Sequence, residues 1–211
     1  MGKILILANS SSGLYGFRNE LVLDLLKEHE VYASLPDDTN NKELTEEGCK
    51  VIKTEFNRRG MNPAKDIKLF LTYLRYLKEL KPDAVLLYTI KPNLYGGLAC
   101  RLLRVPYISN ITGLGTTLQR DTLLSKFLLA FYRISTKKAK CVFFQNKSNL
   151  DIKKKKGVAL KNAALLPGSG VNLVENAYQE YPQEDNGIQF LAVLRIMKDK
   201  GIEEFLTAAE R

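Results

Sequence analysis

The sequence predicts an α/β protein with a doubly wound, parallel, Rossmann-like sheet. Two observations lead to this class. Short apolar segments alternate with longer amphipathic segments along residues 1–166, which is the pattern of successive βα units. The apolar segments are also nearly unbroken, as expected of parallel strands that helices cover on both faces. Ligands bind such sheets at the carboxyl ends of the strands, so the loops that follow the strands are the candidate sites.

The predicted strands are short apolar runs with turn residues on both sides. They cover residues 3–8, 30–35, 50–54, 84–89, 106–111, 141–145 and 163–166. The predicted helices repeat apolar residues at helical spacing, and they cover residues 17–27, 63–81, 93–104, 122–138 and 148–155. Asn62 is expected to cap the second helix, with Pro63 in its first position, and Pro82 ends that helix. Asn93 is expected to cap the third helix.

The composition changes after residue 166. Residues 167–187 are polar and rich in glycine and proline, which predicts a linker between two domains. The pattern then restarts with a strand at 188–194, a loop at 195–201 and a helix at 202–209. Because a single βα unit cannot bury its own apolar face, we expect residues 188–211 to begin a second domain. We therefore expect the chain to be a fragment of a two-domain protein.

The positive charge of the protein is concentrated in one stretch. The net charge is +9, and ten lysines and arginines face a single acid between Arg133 and Lys161. The helix predicted just upstream is apolar on one side and basic at its end, which is typical of helices that bind anionic membranes. We expect its basic side chains to face such a membrane, namely Lys126, Arg133, Lys137 and Lys138. A core helix with a solvated basic end is the alternative.

Several classes of protein are excluded by what the sequence lacks. No apolar run approaches the roughly 20 residues of a membrane span, and the apolar start is too short for a signal peptide. Cys49, Cys100 and Cys141 are far apart, and His29 is the only histidine, so no metal site is predicted. Recognition motifs for nucleic acid are also absent. We expect a cytoplasmic protein with reduced thiols.

Four loops carry residues suited to binding. Gly13 and Gly16 follow the first strand, where glycines let a backbone approach a ligand and a helix N-terminus attracts anions. Lys91 follows the fourth strand and offers a point charge to a phosphate. Thr112 and Gly113 follow the fifth strand and suit a polar ligand. For each loop a plain turn or a solvated connection is the alternative.

The fourth loop lies before the last predicted helix. Arg195 and Lys200 stand just ahead of that helix, which is a typical arrangement for phosphate binding, although a solvated loop is the alternative. No Ser-His-Asp set and no pair of carboxylates stands at the strand ends. The sequence therefore assigns no catalytic residue.

Taken together, the motifs resemble those of glycosyltransferase family 4, in its bacterial branch for capsular, exopolysaccharide or lipid-linked glycans. The resemblance rests on six segments in order, which are Ser12–Gly16, Thr89–Gly96, Ile111–Gly115, Phe143–Asn146, Gly168–Asn172, and Arg195 with Lys200 and Gly201. It implies the GT-B fold, with two Rossmann-like domains around a cleft, and metal-free transfer of a sugar from a nucleotide sugar with retention. It also implies an acceptor that is lipid-linked, as a polyprenyl diphosphate, or a glycan, at the inner face of the cytoplasmic membrane.

The resemblance also assigns roles to residues. Arg195, Lys200, Gly13 and Gly16 match positions that bind the donor diphosphate. The acceptor is expected to contact the side chains and backbone of the N-terminal loops, namely Tyr15, Thr89, Lys91, Asn93, Thr112 and Gly113. The acidic region and the N-domain histidine of many family members have no match in residues 1–211. We therefore expect this chain by itself to be inactive as a retaining hexosyltransferase.

Two further functions stay open on the sequence alone. One is a non-catalytic subunit that binds the membrane and the acceptor and works with a separate donor-binding chain. The other is a nucleotide-binding Rossmann protein such as a dehydrogenase, which needs an acidic residue after the second strand to bind a ribose. Asp37 meets that requirement only loosely.

Overall fold

The fold is described from a computed structural model of the chain. It describes residues 1–57, 60, 62–113, 122–155, 162–180, 190–194, 196 and 200–210. The chain divides into two compact units, Met1–Val171 and Asn172–Arg211. The boundary lies within the segment where the sequence predicts a linker.

The first unit is built on one parallel sheet, with seven strands among the described residues. The strands are β1 (Gly2–Leu7), β2 (His29–Leu35), β3 (Lys50–Lys53), β4 (Ala84–Tyr88), β5 (Tyr107–Ile111), β6 (Cys141–Phe144) and β7 (Ala163–Leu165). Their order across the sheet is β3-β2-β1-β4-β5-β6-β7. The order reverses between β1 and β4, where Leu5 pairs with Val85. This topology confirms the predicted Rossmann-like class.

Helices cover both faces of the sheet. The first unit contains α1 (Ser11–Leu26), α2 (Asn41–Glu46), α3 (Pro63–Leu80), α4 (Gly97–Leu103), α5 (Leu123–Thr136) and α6 (Lys147–Lys155), and a π-helical turn (Pro92–Gly96) leads into α4. Successive side chains of β1 point to opposite faces of the sheet, and this alternation explains why the core consists of two clusters. Leu5 and Leu7 pack in the cluster that includes α3, α4 and α5, whereas Ile4 and Ile6 pack in the cluster that includes α1.

The second unit is described by a turn and a helix. Asn172 accepts a hydrogen bond at its side-chain oxygen from the N–H of Val174, at 3.0 Å. The helix α7 (Ile202–Ala209) begins after Gly201, whose φ of 75° is in the left-handed region. The described part of the strand predicted at 188–194, residues 190–194, forms no strand. A strand requires a paired neighbour, and none is present among the described residues of this unit.

Helix α1 begins earlier than the sequence predicts. Its first residue is Ser11 rather than Phe17, and the side chain of Ser10 caps it by accepting from the N–H of Gly13 at 3.3 Å. A non-helical φ of −146° at Arg18 divides the helix into two parts. The apolar spacing predicted the helix only from Phe17, because the residues before it show no apolar repeat and the helix is initiated there by its cap. Gly13 and Gly16 therefore lie inside a helix and not in a turn.

One other local prediction was wrong, and one short helix was missed. Asn93 does not cap a helix, because the helical backbone already includes Ile90 and Lys91. Its side chain is instead buried. Helix α2 was not predicted, since only Leu44 of its six residues is buried and a single apolar residue gives no periodic pattern. Helix α3, in contrast, begins as predicted, with the side chain of Asn62 accepting from the N–H of Lys65.

Candidate functional site

A crevice lies at the carboxyl edge of the sheet, at the ends of β1, β4 and β5. It has a volume of about 240 Å³ and is lined by Asn9, Phe56, Thr89, Ile90, Lys91, Thr112 and Gly113. Four of the residues predicted to contact an acceptor meet here, although they come from two separate loops. The crevice adjoins the place where the strand order reverses, which is where doubly wound sheets bind their ligands.

Lys91 does not stand free in this crevice. Its ammonium nitrogen lies 2.6 Å from Oδ1 of Asp66, to which it donates a hydrogen bond. The side chains are only 11% and 6% exposed, so this is a buried ion pair. Asp66 lies in the first turn of α3, which Asn62 and Pro63 initiate. The capped start of α3 therefore fixes the position of the carboxylate that holds Lys91.

Tyr95 adds a third member to this buried pair. Burial, together with the charge of Asp66 and a hydrogen bond to it, raises the pKa of Tyr95 to about 12. Its ring also packs edge-on against Phe131 of α5, with 5.3 Å between the ring centroids. Tyr95 thus stays protonated at neutral pH, and it links the Asp66–Lys91 pair to α5.

The backbone of the crevice is strained at Thr89. This β-branched residue has a φ of 72°, a conformation that is rare outside glycine. Asn93 holds it there, since the side-chain amide of Asn93 donates to the carbonyl oxygens of Thr89 at 2.6 Å and of Asn110 at 2.9 Å. The hydroxyl of Ser109 donates to the side-chain oxygen of Asn93. Asn93 therefore positions the crevice from beneath and does not line it.

At the start of α1, the N–H groups of Ser11 and Gly13 are hydrogen-bonded within the chain. The backbone N–H of Ser11 donates to Oδ1 of Asp37 at 2.7 Å, and the hydroxyl of Ser11 donates to the same oxygen. The N–H of Gly13 donates to Ser10. The carboxylate that a dinucleotide-binding protein would use for its ribose is thus bound to the N-terminus of α1. Tyr15 packs against the cluster of α1 and is not among the residues that line the crevice.

The other predicted donor-site residues lie in the second unit. Lys200 is exposed and directly precedes Gly201 and helix α7. Arg195 lies outside the described residues. The assignment of Arg195, Lys200, Gly13 and Gly16 to a donor diphosphate therefore stays a prediction.

A second cavity of about 420 Å³ lies beside α1, at the ends of β4, β5 and β6. Most of its lining is apolar, and Arg18 contributes a cation. The Arg18 guanidinium lies 4.5 Å from the centroid of the Tyr88 ring. Burial lowers the pKa of Arg18 and raises that of Tyr88. Arg18 could not be singled out from the sequence, because an arginine after Phe17 fits an ordinary helix surface.

Helix α5 carries two adjacent exposed stripes. Leu123, Phe127 and Ile134 lie on one side of the helix and are 86%, 58% and 47% exposed. Next to them, Lys126, Arg133 and Lys137 recur at helical spacing along one side of the helix. Lys138 is exposed just beyond the helix end. Within the described part of the chain, no helix has the length and hydropathy needed to cross a membrane.

Comparisons with known proteins bear on both fold and chemistry. A curated relative is 27% identical over 224 residues, and the match covers 98% of this chain and 60% of that protein. It is the N,N'-diacetylbacillosaminyl-diphospho-undecaprenol alpha-1,3-N-acetylgalactosaminyltransferase of Campylobacter jejuni. The chain thus spans less than two thirds of the length of this relative.

Solved structures share the fold at low sequence identity. The Anabaena protein Alr3699/HepE, in complex with UDP-glucose, has a TM-score of 0.61 at 14% identity, over 86% of this chain and 47% of that protein. A UDP-N-acetylglucosamine 2-epimerase has a TM-score of 0.56 at 16% identity, over 77% and 47% of the two chains. The fold therefore serves more than one reaction, and the family has to be identified from the sequence. A model of the "Glycosyl transferase 4-like" family matches residues 3–146, so the chain belongs to this glycosyltransferase family.

Proposed function

We propose that this protein is a glycosyltransferase that moves a sugar from a nucleotide sugar to a lipid-linked acceptor, in the synthesis of a bacterial surface glycan. In this reaction an acceptor hydroxyl oxygen forms a bond to C1 of the donor sugar. The bond from C1 to the nucleoside diphosphate breaks, the diphosphate leaves with the electron pair, and the hydroxyl loses its proton. We propose that the transfer retains the anomeric configuration and needs no metal.

The observation that carries this proposal is the crevice at the point where the strand order reverses. Thr89, Lys91, Thr112 and Gly113 surround it, and they offer hydroxyl, ammonium and backbone groups to a polar ligand. The crevice belongs to the unit that the family model matches. The Campylobacter relative is named for a sugar acceptor on diphospho-undecaprenol, which supports an acceptor of the same kind here.

The surface of α5 supports a place for this protein at a membrane. Its apolar stripe and its basic stripe run side by side, so the apolar residues would enter the lipid boundary while the basic side chains reach anionic headgroups. Helix α5 follows β5 and begins at the carboxyl edge of the sheet, where the crevice also lies, and its basic end lies toward the opposite edge. We propose that the protein is cytoplasmic and binds peripherally to the inner face of the cytoplasmic membrane.

A transfer assay tests the proposed function. The full-length protein would be incubated with N,N'-diacetylbacillosaminyl-diphospho-undecaprenol and a panel of UDP-sugars labelled in the sugar. We expect label to appear in the lipid fraction, and Lys91→Met to reduce its rate at least tenfold. Lys42→Met is the matched control, because Lys42 is an exposed lysine on α2. Absence of transfer from every donor to this lipid and to other polyprenyl-diphosphate sugars would contradict the proposal.

The same assay separates the proposal from the alternative of a non-catalytic subunit. A subunit of that kind would bind the lipid-linked sugar but transfer nothing until a second chain was added. The dehydrogenase alternative is disfavoured by family membership and by the contact of Asp37 with Ser11.

A further inference from the structure

We propose that Asp66 sets the specificity of the crevice: by holding Lys91 and cancelling its charge, it makes the crevice a site for sugar hydroxyl groups and not for phosphate. This inference rests on the proposed function, because it names the part of the acceptor that the crevice takes. Asp66 does not line the crevice itself. It acts through Lys91 and is therefore a positioning residue.

The charges of Lys91 and Asp66 balance each other. Among the described residues that line the crevice, Lys91 is the only charged one. Its partner Asp66 is 6% exposed and lies 2.6 Å away, so the ion pair as a whole adds no net charge to the crevice. A phosphate approaching Lys91 would also meet the repulsion of the carboxylate 2.6 Å from the ammonium, which offsets part of the attraction. A bare lysine would attract it without this offset.

Lys91 keeps hydrogen-bond donors for a ligand. An ammonium group has three N–H donors, and one of them goes to Asp66. No further acceptor is recorded for Lys91 within the described structure, and its nitrogen is fixed in direction by the buried carboxylate. Sugar hydroxyls accept such hydrogen bonds and can donate in return to the hydroxyls of Thr89 and Thr112. Phe56 offers an apolar surface to the C–H face of a sugar ring.

Helix α1 begins two residues beyond Asn9, which lines the crevice. A helix N-terminus is well suited to bind an anion. The first N–H of α1 already donates to Asp37, so a carboxylate of the chain occupies this position. Lys91 and the first N–H of α1 are therefore both already engaged by carboxylates from elsewhere in the fold.

The size of the crevice agrees with a single sugar ring. Its volume is about 240 Å³, whereas pockets that enclose a drug-sized ligand have about 300–1,000 Å³. Together these observations place the sugar of the acceptor in the crevice and its diphosphate outside.

Binding measurements on the 211-residue chain test this inference without any donor. The ¹⁵N-labelled chain would be titrated separately with a methyl N-acetylhexosaminide and with inorganic pyrophosphate, and the backbone amides of Thr89, Lys91, Thr112 and Gly113 would report binding at the crevice. In the wild type we expect the glycoside to shift these amides and pyrophosphate to bind there at least tenfold more weakly. Tighter binding of pyrophosphate, or no shift with the glycoside, would overturn the proposal.

The variant Asp66→Asn should change the two affinities in opposite directions. It keeps the shape of the side chain but leaves the charge of Lys91 uncompensated. We expect pyrophosphate to bind the crevice about tenfold more tightly and the glycoside about tenfold more weakly. A purely structural role would weaken both. Asp66→Glu should restore the preference for the glycoside, and Glu79→Gln, an exposed acid on the same helix, should leave it unchanged.

A second variant and the transfer assay complement these titrations. If Asp66→Asn fails to fold, Lys91→Gln replaces it and should weaken glycoside binding without any gain for pyrophosphate, while a gain for pyrophosphate would contradict the proposal. The transfer assay is independent of these titrations. If the crevice binds the glycoside but the protein transfers no sugar, the proposed function alone is contradicted. If the protein transfers sugar but its crevice binds pyrophosphate more tightly than the glycoside, this inference alone is contradicted.

Discussion

The carbonyl oxygen of Thr89 accepts two hydrogen bonds from Asn93, one from its backbone N–H at 3.1 Å and one from its side-chain amide at 2.6 Å. This double contact fixes the end of β4 in a conformation that threonine rarely adopts, with φ at 72°. The side chain of Thr89 lines the crevice as a result. Strained residues persist only where their surroundings enforce them, and here a single buried asparagine does so.

Removal of that asparagine should cost more stability than its size suggests. Asn93→Ala would leave the carbonyl of Asn110 and the hydroxyl of Ser109 without a buried partner, so we expect the free energy of unfolding to fall by about 2–4 kcal/mol. Urea unfolding followed by circular dichroism measures the change. Asn176→Ala is the control, because Asn176 is exposed, and an equal loss in both variants would show that Asn93 has no special role.

The strain at Thr89 predicts an order between two substitutions. Thr89→Gly removes the left-handed penalty and Thr89→Ala keeps it, so the glycine variant should be more stable by about 1 kcal/mol. Both variants lack the hydroxyl and should lose affinity for the glycoside in the titration described above. An alanine variant as stable as the glycine variant in urea would mean that the backbone at this position is not strained.

Gly97 and Gly16 should respond to alanine in opposite ways. A Cβ on Gly97 would lie 2.9 Å from the backbone oxygen of Ser135, whereas a Cβ on Gly16 meets no atom within 4 Å. We expect Gly97→Ala to destabilise the protein by about 1–3 kcal/mol. Gly16→Ala should stabilise it by about 0.5–1 kcal/mol, since alanine favours a helix. Thermal denaturation of the two variants decides this, and a stabilised Gly97→Ala would contradict the close packing of α4 on α5.

Membrane binding should depend on the basic end of α5. Each lysine near an anionic surface contributes about 1 kcal/mol, so Lys137→Gln with Lys138→Gln should lower partitioning into phosphatidylglycerol-containing vesicles about 30-fold. The pair Lys27→Gln and Lys42→Gln removes the same charge from α1 and α2 and should have little effect. Equal losses for the two pairs in a sedimentation assay would indicate attraction by net charge and not by this helix.

The three thiols should differ in reactivity. Burial raises the pKa of Cys49 and of Cys100 to about 12, so their reactive thiolate forms are scarce at pH 8. Cys141 is only partly buried. We expect iodoacetamide to modify Cys141 first and the other two only at the rate of unfolding, as mass spectrometry would show. Modification of Cys49 at the rate of Cys141 would contradict the packing of the α1 cluster.

The sequence was a good guide wherever a local signal determines structure. Asn62 and Pro63 marked the start of α3 because a cap and a first-turn proline act locally. The start of α1 was missed because the apolar spacing that predicted the helix begins only at Phe17, six residues after the first helical residue, Ser11. Local signals also brought Thr89, Lys91, Thr112 and Gly113 into the candidate site, since all of them follow strands.

What the sequence did not reveal are the contacts that decide how this site works. Asp66 precedes Lys91 by 25 residues, and in the sequence it resembles any acid in the first turn of a helix. Asn93 looked like a helix cap because asparagine before a helical pattern usually is one. Only the packing of α3 and the π-helical turn against the sheet shows that one residue neutralises Lys91 and the other holds Thr89.

The strand order also has a consequence for the synthesis of the protein. Strand β1 lies inside the sheet, between β2 and β4, yet it leaves the ribosome first, and the carboxylate of Asp83 that accepts from the N–H of Lys3 is 80 residues away. One partner, β2, follows soon afterwards in the chain, but the other edge of β1 has no partner until β4 is made. Exposed apolar edges are where chains associate with one another. We therefore expect β1 to benefit from rapid elongation or from a chaperone during synthesis.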